Sequence, residues 1–171
     1  MSRKRIVQYD FSTHFLTGIG IMSKKDEVVR EMAGVLLEFM ALTKLDWDAT
    51  YFRFASPGGG TTSSEWLYRK NRELDYFQGI AQLEMTYQTT LEKLAEKLSD
   101  EMVSEGRERP VVIVATVDSE KNYDLKFDYK NPSALEIRPL SLGAANSYFG
   151  DEIVIDKNIE EFQDHLKGLA S

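Results

Sequence analysis

The chain has 171 residues, 42% hydrophobic and 29% charged, a size and apolar content that fit one domain with its own core. It contains no cysteine, which excludes thiolate catalysis, cysteine zinc centres and disulfides, and no stretch approaches the roughly 20 unbroken apolar residues of a membrane-spanning helix. The net charge of −7 is uneven: Arg3, Lys4, Arg5, Lys24 and Lys25 against Asp10 leave the first 25 residues at +4 and residues 26–171 at −11, a body that repels nucleic acid phosphates and steers toward basic partners.

The opening MSRKRIVQYDFSTHFLTGIGIM has a basic start and apolar residues, but Asp10 and His14 interrupt it and no small-residue cleavage site follows. It reads as an ordinary or weakly ordered N-terminal segment, and the cytoplasm is the expected compartment. Next comes SKKDEVVREMAGVLLEFMALT. Val28, Val29, Met32, Leu36, Phe39 and Met40 recur at three- and four-residue spacing, and Ser23 with Asp26 has the spacing of a capping box, which predicts a helix.

WDATYFRFA (47–55) and SEWLYRK (64–70) are rich in aromatic and β-branched residues, and SPGGGTTS lies between them. Three adjacent glycines beside hydroxyls raise the possibility of a phosphate cradle, but no lysine appears until Lys70 and the spacing GxGxxG is absent. The stretch therefore reads as the bend of a β-hairpin.

A second helix is predicted from about Leu83 to Glu105, with Tyr87, Leu91, Leu94, Leu98 and Met102 on one stripe and Gly106 as its stop. After Pro110, the β-branched run VVIVATVD predicts a central strand. The alternating YDLKFDYK predicts its partner, with SEKN as the turn and Asn131-Pro132 ending the pairing. In the tail, EIVID is a short strand and NIEEFQDHLKGL a final helix. The expectation is one domain over 1–171, with a core at 24–130 and an extension at 131–171. Its class is α+β: an antiparallel sheet of about four strands in helix-hairpin-helix-hairpin order, the helices on one face and the other face free for a partner.

Catalytic parts are scarce. The two histidines, His14 and His165, are poorly placed for a Ser-His-Asp arrangement, and no serine sits in a GxSxG elbow. Asp46 and Asp48 lack the further ligands of a calcium loop, and Lys126 separates Asp124 from Asp128 on their strand face, so a cross-strand ion pair suits them better than a metal. A glycosidase needs two carboxyls in opposed environments, which the pattern does not reveal. The hairpin aromatics Trp47, Tyr51, Phe52, Phe54, Trp66 and Tyr68 resemble a base-stacking platform, but on an acidic body they are assigned to packing. No catalytic residue, metal or cofactor is expected.

The order of helix, aromatic hairpin, helix and last hairpin, with LKFDYKN at Leu125–Asn131, resembles the YezG-like immunity proteins of bacterial polymorphic toxin systems over about Val28 to Asn131. Met1–Met22 and Leu135–Ser171 lie outside that likeness. The resemblance implies an α+β antitoxin that blocks a cognate toxin, commonly a nuclease, by tight binding and without chemistry of its own. On the acidic body, Glu65, Asp118, Glu120, Asp124 and Asp128 are the candidate partner-binding residues, since opposite fields speed encounter and carboxylates can occupy sites shaped for phosphate. The alternatives are a small enzyme with a carboxylate-based site, which predicts a deep pocket with displaced pKa values, and a general interaction adaptor, which predicts an exposed apolar patch.

Overall fold

The structure, a computed structural model, describes residues 5–9, 23–136, 138–140 and 154–155. Two helices, α1 (Lys24–Thr43) and α2 (Ala81–Ser104), accompany seven strands: β1 (Arg5–Tyr9), β2 (Ala49–Gly58), β3 (Thr61–Lys70), β4 (Glu73–Asp75), β5 (Val112–Asp118), β6 (Tyr123–Asp128) and β7 (Val154–Ile155). The strands form one sheet in the order β1-β6-β5-β2-β3-β4-β7, antiparallel throughout except for β7, which joins β4 in parallel. The α+β class is therefore observed, and the four expected strands are the contiguous middle of a larger sheet. The expected C-terminal helix lies outside the described residues.

Local chemistry explains the helix ends. Ser23 caps α1, its Oγ accepting from the Asp26 N–H at 3.2 Å and donating to the Asp26 carboxylate at 2.8 Å. At the end of α2, the Arg107 N–H reaches the Met102 carbonyl and the Gly106 N–H reaches Val103, both at 2.9 Å. This pair of bonds is a Schellman ending, and Gly106 supplies its left-handed residue at φ 78°. The β2–β3 turn has Gly59 and Gly60 at φ 70° and 76°, the positive values that a two-residue turn matched to strand twist requires.

Both helices cover one face of the sheet. Val28, Val29, Met32, Leu36, Phe39 and Met40 of α1 and Leu91, Leu94, Leu98 and Met102 of α2 pack with Phe52, Phe54, Trp66, Ile113, Val117, Tyr123, Leu125 and Phe127. At its centre the rings of Phe39 and Trp66 lie 4.1 Å apart, with Phe77 edge-on to Phe39 at 4.8 Å. The indole N–H of Trp66 donates to the Thr50 hydroxyl at 2.8 Å, which in turn donates to the Leu67 carbonyl at 3.0 Å, so both of these buried polar groups are satisfied.

The opposite face departs from the expectation. Tyr51, Leu67, Leu74, Val112 and Val114 point away from the helices and are buried, with Ala134 and Leu140 packed onto them. The chain after β6 folds back over its own sheet, because these apolar side chains would otherwise stand in water. Only part of that face is left for another molecule. The edges also differ from the expectation: Arg5–Tyr9 of the opening segment is a strand on β6, and Glu73–Asp75 extends the first hairpin.

Candidate partner surface and cleft

Strand alternation puts Asp118, Asp124, Asp128 and Glu65 on the face away from the helices, while Glu120 sits in the β5–β6 turn. Register then orders this face into rows. Glu65, Arg53, Val114 and Lys126 lie side by side across four strands, and Leu67, Tyr51, Thr116 and Asp124 form the next row. Cations are thus interleaved with the expected anions, and the five residues do not make one continuous acidic patch.

Their roles separate by environment. Glu120 is exposed at the turn. Asp118 organises that turn: its Oδ1 accepts from the Glu120 and Asn122 N–H groups at 3.0 and 2.8 Å, and its Oδ2 from the Asn122 amide at 2.8 Å. Glu65 and Asp128, expected at the surface, are buried at 8% and 7% exposure. The Glu65 carboxylate accepts from the Leu140 N–H at 3.0 Å, and that of Asp128 from the Lys130 N–H at 3.2 Å. Glu65 is thus tied to the returning segment, and Asp128 to the turn that follows its own strand. Along β6, Lys126 Nζ lies 3.8 Å from Asp124 Oδ2.

Asp124 is half-buried, and its Oδ1 and the facing Thr116 hydroxyl have no hydrogen-bond partner among the described residues. Withdrawal from water raises the carboxyl pKa above its usual range, against the smaller opposing pull of Lys126. A carboxyl whose folded pKa lies above its unfolded value favours folding while protonated and loses that contribution as pH rises through the folded pKa. Asp124→Asn is therefore expected to melt above wild type at neutral pH, with the advantage shrinking toward zero on acidification below the ordinary aspartate pKa. Paired melting curves across pH check this, and a pH-independent difference would refute it.

The loop of Asp46 and Asp48 abuts the β5–β6 turn through a 2.8 Å bond from the Ser119 N–H to the Asp48 carbonyl. Lys70 lies 2.9 Å from Asp46 and 3.5 Å from Asp48. Asp46 remains 83% exposed. Among the described residues no three histidine or acidic side chains gather as metal ligands. No helix there is long and apolar enough to cross a membrane.

A cleft of about 340 Å³ opens beside β3, since β4 covers β3 only at Tyr68–Lys70 and leaves its outer edge at Ser63–Trp66 without a strand among the described residues. Arg53 and Glu65 line it, Tyr76 and Arg138 form one wall with the guanidinium 4.4 Å over the ring, and Glu84 and Gln88 of α2 form the other. Gln88 donates to the Ser64 hydroxyl at 2.6 Å, and Ser64 donates to Glu92, tying α2 to the strand edge. Burial alone raises the pKa of Glu84. Arg53 and Glu84 escaped the sequence reading: an arginine amid aromatics looks like an exposed strand position, and a glutamate in a first helical turn looks like a solvated one. The only available signal was that WDATYFRFA alternates imperfectly, with apolar residues on both faces around Arg53. No protein-family model matches the chain, and no curated protein matches it significantly.

Proposed function

We propose that this protein is an immunity protein that binds and neutralises a cognate bacterial toxin, a cationic nuclease, in the cytoplasm and without chemistry of its own. The observation that carries the reading is the charge of −11 on residues 26–171. The end of the sheet where the exposed carboxylates of Asp46 and Glu120 stand on adjoining loops is where that charge meets a partner first. Asp118 and Asp124 add to its field from the neighbouring strand ends. Glu65 and Asp128 serve folding, since their carboxylates are turned inward. A field of this kind acts mainly on the rate of encounter.

The test is co-expression with the product of a toxin-like reading frame immediately upstream, followed by binding kinetics. Asp46→Lys with Glu120→Lys is expected to slow association about tenfold at low salt and to flatten its salt dependence. Unchanged kinetics in a correctly folded double variant would remove this surface from the interface. The cleft with its desolvated Glu84 favours a second reading, a small enzyme with a carboxylate-based site. Toxin neutralisation that survives Glu84→Gln separates the two.

A further inference from the structure

The guanidinium of Arg53 is 1% exposed and lies at the cleft, yet it has little to hold it there. One terminal nitrogen donates to the Ala134 carbonyl at 2.9 Å, and Nε has no hydrogen-bond partner among the described residues. Glu65 stands opposite in the register but already accepts from the Leu140 N–H. A buried cation donating to a neutral carbonyl, with one N–H unused, is short of acceptors, and a carboxylate is the group that best matches a guanidinium.

The other wall presents the converse. Glu84 projects from the first turn of α2, and its carboxylate has no hydrogen-bond or ion-pair partner among the described residues. A half-buried carboxylate without a partner can still accept a donor or a cation. The volume suits a small molecule, and Tyr76, with the Arg138 guanidinium over its ring, contributes to the lining. Antiparallel alternation adds polar groups at the floor. The Asp48 N–H bonds the Arg69 carbonyl, so Arg69, Leu67 and Glu65 turn their backbone groups toward β2, and Trp66 and Ser64 turn theirs outward along the open edge.

We propose that this cleft binds a small zwitterion of the amino-acid type, its carboxylate on Arg53 and its ammonium on Glu84. The site is separate from the loops of Asp46 and Glu120, so it stands or falls independently of the partner surface.

Titration calorimetry of the full chain with a panel of free amino acids (glycine, lysine, glutamate and phenylalanine), each beside its N-acetyl and methyl-ester form, tests the assignment. At least one free amino acid is expected to bind saturably at millimolar concentration or below. Acetylation and esterification should each weaken it about tenfold, the scale of one charge-assisted hydrogen bond. Glu84→Gln should bind the free and acetylated forms alike while still discriminating against the ester. Arg53→Met should lose the discrimination against the ester; where that variant fails to fold, Glu84→Gln and the blocked ligands decide. Absence of binding by every free amino acid, equal binding of the acetylated forms by wild type, or an unaltered Glu84→Gln profile would each overturn the proposal.

Discussion

Phe39→Ala is expected to lower the free energy of unfolding by about 3–5 kcal/mol, the usual cost of emptying a buried aromatic site. The Phe39 side chain is fully buried and meets three rings, Trp66 at 4.1 Å, Phe77 at 4.8 Å and Tyr87 at 5.5 Å. It is the point where α1, β3, the segment after β4 and α2 touch one another. Alanine there strips contacts from all four at once, and the surrounding rings are too stiff to close the void. Phe39→Leu keeps much of the volume and should cost less than half as much. Chemical denaturation of the two variants checks the ranking; equal, small losses would mean that the aromatic cluster is not the centre of the core.

The second large effect concerns Arg53 and Glu65, which face each other across β2 and β3, both buried. Each holds a backbone group of the returning segment, Arg53 the Ala134 carbonyl and Glu65 the Leu140 N–H, so Arg53→Met and Glu65→Leu should each destabilise by about 2–3 kcal/mol through the buried group left unsatisfied. The double variant should cost close to the sum of the two single losses, because the Leu140 N–H and the Ala134 carbonyl lose their partners separately. A double-mutant cycle measured by denaturation gives the coupling. A coupling above about 1 kcal/mol would show that the two charges compensate each other directly.

The elements that could be read in advance are those whose burial has a regular period. The α1 stripe from Val28 to Met40 is buried as its spacing implies, and the alternation of Tyr123, Leu125 and Phe127 marks the face of β6 that lies against the helices. The β-branched run of β5 sits between β6 and β2, where a strand is buried on both faces. What could not be read depends on distant partners. Arg5–Tyr9 is a strand because β6 offers an edge, and nothing within those five residues records that. Ala134 and Leu140 are buried because the chain turns back over Val112 and Val114, whose own sequence only says that both faces want covering.

The candidate site divides in the same way. Glu120 and Asp118 fall in the turn that SEKN announces. Glu65 and Asp128 look like any solvated strand carboxylate until register and the returning segment bury them. The cleft draws on β2, β3, α2 and the segment after β6, so no contiguous stretch of sequence contains it.

The pairing of β2 with β5 at the middle of the sheet joins residues 49–55 to residues 112–118, with the whole of α2 between them. A nascent chain ending before Val112 has all of β2 but lacks the strand that covers its inner edge. An uncovered edge invites pairing with another chain, so the emergence of residues 112–118 is the step at which a crowded ribosome would see this molecule either close or aggregate.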